Sequence, residues 1–275
     1  MKINPRIQIC ISSTVCCAFG FLSLFLAPSL HADTLAYWNM NAAGTAKANV
    51  NTVGSGVTVT PIGTVNLNAI GTVVPVFNPA LVSGDNYAGM SRSSGPTPET
   101  VSLAQDYANS TYFQFTLAPS GGQLLDLTSL SFNVVAATTT TTANREFFME
   151  SDKTGFGTTS ANVLYGGATQ SALNPGGGIN WSGTLIPFND TAANTGPYGE
   201  TLFSVDLSGN SLLQNISDSV TFRFYIGTDT TSQNLGFDNL TVGGLIAPVP
   251  EPSTVVMLGL GAFALLAIRG RCRQA

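Results

Sequence analysis

Cysteine and histidine are nearly missing from this 275-residue chain, and the few it has lie at its ends. The cysteines are Cys10, Cys16, Cys17 and Cys272, and the single histidine is His31. Residues 33–249 contain neither, so they cannot form a disulfide, a thiol nucleophile, a Ser-His-Asp triad, a Cys/His zinc site or a haem histidine ligand. Charge is scarce too. Asp, Glu, Lys and Arg make up 9% of the chain, against about 25% in a typical soluble domain. Global disorder is not the reason, because disorder needs low hydrophobicity, and here 44% of residues are hydrophobic. Cations are the scarcest charges. Between Asp33 and Glu251 lie all 15 acidic residues but only Lys47, Arg92, Arg145, Lys153 and Arg223, a local balance of −10. Five scattered cations cannot neutralise a phosphate backbone, so nucleic acid is excluded as an expected partner. Gly-x-Ser-x-Gly, Ser-x-x-Lys and a phosphate-binding Gly-Lys-Ser/Thr are absent as well.

What is present begins with an address at each end. Residues 1–32 read as a secretory signal peptide. Lys2 and Arg6 precede an apolar run from about Ile7 to Leu26, then Pro28 and a cleavage position after Ala32. Leu30, third before the cut, is larger than the small residue preferred there. Signal peptidase is then a processing partner, and cleavage removes Cys10, Cys16, Cys17 and His31. The competing reading, an uncleaved anchor, is disfavoured by the Ser, Gly and Cys interruptions and by the following proline.

At the other end Val249, Pro250, Glu251, Pro252, Ser253 and Thr254 precede an apolar stretch, Val255 to Ile268, and then Arg269, Arg271 and Arg273. The two prolines make a rigid, extended stem. The 14 apolar residues fall short of the ~20 that span a bilayer unless flanking residues are counted. The arginines act as a membrane stop that stays cytoplasmic and leaves the body outside. Gly259-x-Gly261-x-x-Ala264 lacks the strand and acidic partner of a dinucleotide fingerprint, and reads as small-residue helix packing in lipid.

This order of Pro-Glu-Pro, apolar helix and arginine cluster resembles the PEP-CTERM sorting signal over about the last 27 residues. A similar tail is also described for the C-terminal region of ice-binding proteins. The resemblance implies recognition by an exosortase, a membrane-embedded cysteine transpeptidase acting near Pro250-Glu251-Pro252, which releases or transfers the body. It also implies a Gram-negative bacterium that makes exopolysaccharide, and a transient membrane anchor ahead of a place at the cell surface or in the extracellular matrix.

The body between the two ends reads as all-β. Val220, Phe222, Phe224 and Ile226 alternate with Thr221, Arg223 and Tyr225, the pattern of a half-buried strand. Phe113, Phe115 and Leu117 repeat it. Further candidate strands are 35–40, 130–136, 145–150, 202–207 and 235–242, separated by Pro119-Ser120-Gly121-Gly122, Asn174-Pro175-Gly176 and Asn194-Thr195-Gly196-Pro197 turns. No segment holds a helical period for three turns, so crossover helices and a parallel sheet are not expected. The expected fold is a jelly-roll-like antiparallel β-sandwich, flanked by an N-terminal signal helix and a single C-terminal membrane helix. Its expected parts are the signal at 1–32, the sandwich at 33–244 with a low-complexity stretch at 42–80, a linker and stem at 245–254, the membrane helix at 255–268 and a basic tail at 269–275. The succession of apolar strands ending in Phe237-Asp238-Asn239-Leu240-Thr241-Val242 resembles the jelly-roll bodies of PEP-CTERM proteins. That resemblance carries architecture, not activity.

Candidate sites in the body are sparse. Glu146 and Glu150 share one face of a strand but stand about 13 Å apart at 3.3 Å per residue, beyond the roughly 5–9.5 Å that glycoside hydrolysis requires. A solvated strand face is the expectation for both. No cofactor is expected; hard oxygen ligands are the only abundant ones, so the one metal weighed is a structural calcium ion at Asp229, Asp238 and Asn239, against turn capping by those same side chains as the ordinary reading. Trp181, in a turn-rich region, is a candidate for stacking on a sugar ring, with partly buried packing as the ordinary reading, whereas Trp38 belongs to the core. An ice-binding face of threonines would need a regular repeat, and none is present. No catalytic residue is assigned. The expected function is a non-enzymatic adhesion or polysaccharide-associated module, exported and sorted by its tail. The alternative is a secreted carbohydrate-active enzyme with dispersed carboxylates.

Overall fold

Alternation between large apolar and polar residues turns most of the body into strands with one face to shed from water. The computed structural model describes residues 32–40, 48–68, 73–74, 87–92, 103–138, 145–159, 161–168, 184–185, 188–190, 201–228, 234–249 and 259–262. The chain divides into a body, Ala32–Pro248, and a second unit made of Met1–His31 and Val249–Ala275. In the second unit only Val249 and 259–262 are described, the latter helical. The expected signal helix, and the rest of the expected membrane helix, lie outside the described residues. Among the described residues no helix is long and apolar enough to cross a membrane.

The body opens with β1 (Asp33–Trp38), β2 (Thr52–Val53), β3 (Val57–Val59), β4 (Gly63–Val65), β5 (Leu67–Asn68), β6 (Val73–Val74) and β7 (Tyr87–Arg92). A short helix α1 (Leu103–Asn109) precedes β8 (Tyr112–Pro119), β9 (Gln123–Thr138), β10 (Arg145–Ser151) and β11 (Val163–Ala168). The last strands are β12 (Thr184–Leu185), β13 (Phe188–Asp190), β14 (Thr201–Asp206), β15 (Val220–Thr228) and β16 (Asn234–Pro248). They form two mainly antiparallel sheets. The first runs β13-β9-β16-β1-β2, with β14 also on β9 and β7 also on β16. The second runs β12-β11-β10-β15-β8-β3, with β4 also on β8. Two short pairs, β11 with β12 and β13 with β9, are parallel.

Six phenylalanines join the sheets. Phe132, Phe203 and Phe237 come from the first sheet, and Phe113, Phe147 and Phe224 from the second. Phe132 stacks on Phe203 at 5.4 Å and meets Phe147 and Phe224 edge-on at 5.4 and 5.2 Å. Phe113 stacks on Phe224 at 4.5 Å. Such pairs add about 0.5–1.5 kcal/mol each beyond the area they bury. Trp38 is fully buried with its ring 4.7 Å from that of Phe115, the core position expected of it.

Three elements differ from the sequence reading. Helix α1 has seven residues, too few to leave a three-turn period in the sequence. The low-complexity stretch contributes several two- and three-residue strands whose partners lie far along the chain, as β3 and β4 do on β8. The last strand outruns the expected boundary at 244, because Leu245–Pro248 continue the ladder against Gln123–Asp126. Two register shifts interrupt that ladder, one between Asp238 and Thr241 and one between Gly243 and Gly244. At the second, a Cβ on Gly244 would press on the Asp126 carbonyl oxygen and lie 2.6 Å from Leu35 Cδ1. Only glycine lets the strands approach that closely.

Two substitutions test this core. Phe132→Ala is expected to lower the unfolding free energy by about 3–5 kcal/mol. Gly244→Ala is expected to lower it by about 1–3 kcal/mol through overpacking. Urea titration measures both, and a change below about 1 kcal/mol for Phe132→Ala would contradict the interlocked core.

Candidate functional site

The outer face of the second sheet brings several ionisable side chains together under cover. On β10, alternation sends Phe147 and Met149 inward and turns Glu146, Phe148 and Glu150 outward. On β15 the same rule puts Arg223 and Tyr225 on that outer face, with Tyr112 and Gln114 beside them on β8. Register then decides the rungs. Glu150 stands opposite Arg223, Phe148 opposite Tyr225, and Glu146 opposite Gly227.

The face is not solvated as the sequence reading had it. Glu146 is 1% exposed and Glu150 0%. Phe148 and Tyr225 form a small apolar cluster with Tyr112 and Val163. Tyr107 of α1 lays its ring 5.7 Å from that of Tyr225. Phe156, from the β10–β11 connection, covers the Arg223 guanidinium at 3.9 Å, and Tyr112 lies 4.4 Å from it. The signal for this cover was in the sequence, since Phe148 between two glutamates and Tyr225 beside Arg223 leave large rings on a face that water does not favour.

Arg223 does not pair with the carboxylate opposite it. Its Nε donates to Gln114 Oε1 at 3.0 Å and its Nη1 reaches Tyr225 Oη at 3.5 Å. Glu150 Oε2 accepts the Gly157 amide at 3.1 Å, while Oε1 of Glu150 and Oε1 of Glu146 are buried and accept nothing from the described residues. Burial therefore dominates both acids. It pushes Glu146 up to about 8 and Glu150 up to about 7, the Gly157 bond and Arg223 offsetting part of the rise at Glu150. Tyr225 is pushed up to about 12, again mainly by burial. Four residues of strand separate the two acids by about 13 Å, too far for them to act on one glycosidic bond.

Two of the three candidate calcium residues, Asp238 and Asn239, bond to each other. Asp238 is buried, and its Oδ1 accepts the Asn239 amide at 2.8 Å while its Oδ2 accepts Asn239 Nδ2 at 3.2 Å. Asn239 has φ 52° and accepts the Tyr37 hydroxyl at 2.7 Å. Together they stabilise the register shift in β16, the capping role that competes with metal binding. Asp229, the third candidate, lies outside the described residues. Among the described residues no group of three or more His, Cys, Asp or Glu side chains is placed to hold a metal. Trp181 is also outside the described residues. An open hollow of about 540 Å³ lies beside β11, β14 and a 3-10 turn at Ser211–Leu213, with Thr154, Asp206 and Ser211 among aliphatic neighbours. Ser208 donates its amide and hydroxyl to Asp206 Oδ1, holding that carboxyl below its usual range.

Of the sorting residues, Val249 is 40% exposed just past β16. Pro250, Glu251, Pro252, Ser253 and Thr254 lie outside the described residues, as do Arg269, Arg271 and Arg273. Comparison with known proteins adds one functional finding. Residues 248–273 match the family model described as the PEP-CTERM protein-sorting motif. The chain thus carries the tail of an exported protein sorted by an exosortase to the cell surface or extracellular space. No curated protein matches the chain in sequence. Among solved structures, the K3 cleaved adhesin domain of Lys-gingipain from Porphyromonas gingivalis W83 is 15% identical over 47% of this chain and 63% of its own, with a TM-score of 0.24. This chain thus spans less than two thirds of that domain. The K1 cleaved adhesin domain of the same protein is 13% identical over 78% of this chain and 97% of its own, with a TM-score of 0.29. The functional reading therefore rests on the tail and on the body's own chemistry.

Linkage fixes the sign of a pH effect. With both carboxyls raised above the ordinary 4.5, the native body binds more protons than the unfolded chain between about pH 4.5 and 8, so its stability is present in acid and falls as pH rises through that window. The urea midpoint is expected to drop between pH 5 and pH 9, and to drop less in Glu150→Gln. An equal or rising midpoint in the unaltered protein would contradict the buried, unpaired state of these acids.

Proposed function

We propose that this chain is a non-enzymatic surface or matrix protein of a Gram-negative bacterium, exported by signal peptidase processing and anchored transiently through 255–268. An exosortase then cuts near Pro250-Glu251-Pro252 and frees the jelly-roll-like body to associate with extracellular polysaccharide. The observation that carries this reading is the sorting motif at residues 248–273. Its parts divide the work physically. The prolines keep the stem extended and open to a membrane enzyme, the apolar stretch holds it at the bilayer, and the arginines stop its passage.

The body's chemistry supports a passive partner more than a catalyst. Residues 33–249 contain no Cys or His nucleophile or base, and the two buried acids of β10 are too far apart for glycoside chemistry. An acidic, cation-poor surface favours neutral glycans or calcium-bridged ones over bare polyanions. Structural calcium near Asp238 and sugar stacking by Trp181 belong to the same proposal.

Two experiments test it. Glu251→Ala is expected to leave the protein in the membrane fraction, whereas ordinary release would end the exosortase assignment. The released protein is expected to co-sediment saturably with the producer's exopolysaccharide, less so after calcium chelation if Asp238 helps to hold the ion. Absence of co-sedimentation in either condition would remove the glycan from the proposal while leaving the sorting reading standing.

A further inference from the structure

One line of side chains crosses the outer face of the first sheet, and register fixes it. Thr52 on β2 stands beside Tyr37 on β1, Tyr37 beside Thr241 on β16, Thr241 beside Ser131 on β9, and Ser131 beside Ser204 on β14. Each of the five carries a hydroxyl, and at about 4.8 Å per strand the row spans about 19 Å. Thr52 and Ser204 are exposed, and Tyr37, Thr241 and Ser131 are partly so. None of the five strands contains a lysine or an arginine. The row ends beside a cavity. Asp206, two residues beyond Ser204 on the same face of β14, also lines the open hollow of about 540 Å³.

Resting on the glycan reading above, we infer that this face is where the body holds polysaccharide. An extended, uncharged glycan lies along the row from Thr52 to Ser204, and the hollow beside Asp206 takes one of its sugar units. Charge chooses the ligand class. The five strands carry four aspartates, Asp33, Asp126, Asp206 and Asp238, and no cation, so a polyanion would be repelled. A protein partner would need the apolar centre of an interface, which a row of hydroxyls does not supply. Hydroxyls both donate and accept, as sugar hydroxyls do, so a neutral glycan can pair with them in either sense. In the hollow, the Asp206 carboxylate is a strong acceptor for sugar hydroxyls, and Leu164 and Leu212 give the C–H face of a ring an apolar wall. The volume falls within the roughly 300–1,000 Å³ of small-ligand sites.

The middle of the row is held in advance. Tyr37 donates its hydroxyl to Asn239 Oδ1 at 2.7 Å, and Thr241 donates its own to the Asn239 carbonyl at 3.3 Å. Asn239 is fixed in turn by the buried Asp238, whose carboxylate oxygens accept its amide and its Nδ2. The register shift between Asp238 and Thr241 therefore sets the Tyr37 ring, an amphipathic ring suited to stacking on a sugar, before any ligand arrives. A site ordered beforehand loses less freedom on binding. The remaining hydroxyls, those of Thr52, Ser131 and Ser204, bond to no described residue and are left for the ligand.

The probe is the producer's exopolysaccharide, separated by anion exchange into neutral and anionic fractions, with binding to the full chain followed by co-sedimentation. Saturable binding of the neutral fraction alone is expected. The triple variant Thr52→Val/Ser131→Ala/Ser204→Ala removes three hydrogen bonds and is expected to raise Kd at least about tenfold, and Asp206→Ala to raise it about tenfold. Ser217→Ala/Ser219→Ala, which removes exposed hydroxyls ahead of β15, is expected to leave Kd unchanged. Urea midpoints check that each variant folds. Should the triple variant fail to fold, Thr52→Val and Ser204→Ala are measured singly, each expected to weaken binding about threefold or more. Binding confined to the anionic fraction, or an unchanged Kd in the row variants or in Asp206→Ala, would overturn this site and leave the glycan reading standing. Binding of neither fraction by the unaltered chain would overturn the glycan reading and the site with it.

Discussion

Phe132 occupies the point where the two sheets must agree. Its ring meets partners from β10, β14, β15 and β16, so the spacing of the sheets, the register of β9 and the inward faces of five strands are set by one packing problem. Close-packed interiors tolerate little deviation at such a node. Once Phe147 and Phe224 face inward to meet it, the period of two leaves Glu146, Glu150, Arg223 and Tyr225 no choice but the outer face. The buried acids are a consequence of the core, not a separate feature.

What makes that consequence costly is the second cover. An outer sheet face normally meets water, and carboxylates there are ordinary. Here α1 and the β10–β11 connection lie over the face, and the rings of Phe148, Tyr107, Tyr225 and Phe156 make the space beneath them apolar. A carboxyl in that space holds its proton near neutral pH. Arg223 could have balanced Glu150, but stacking between Phe156 and Tyr112 and the bond to Gln114 hold it elsewhere. The two acids are therefore buried without an ion-pair partner among the described residues.

The two halves of the molecule divide the functional burden. The tail carries the PEP-CTERM protein-sorting motif, an exosortase address spelled in sequence order as prolines, apolar stretch and arginines. The body carries stability, an acidic surface and a covered face. Its long closing strand β16 pairs with β1, β7 and β9, which ties the first strand to the last immediately before the stem. A body closed in this way is held by its ladders and core rather than by a disulfide, since residues 33–249 contain no cysteine.

The sequence alone was sufficient for the properties that depend on composition and local order. The missing cysteines and histidine excluded whole classes of chemistry, alternation in 112–117 and 220–226 announced strands, and Pro250-Glu251-Pro252 with its apolar run and arginines announced the sorting tail. Trp38 was legible as core because its neighbours in the strand are apolar. Tertiary structure decided the rest. A seven-residue helix leaves no period to read, the strands within 42–80 exist only because distant partners accept them, and β16 runs to Pro248 because 123–126 lie beside it. The state of Glu146 and Glu150 was hidden for the same reason. A strand's own residues say which face a side chain takes, but only the elements folded over that face decide whether it meets water.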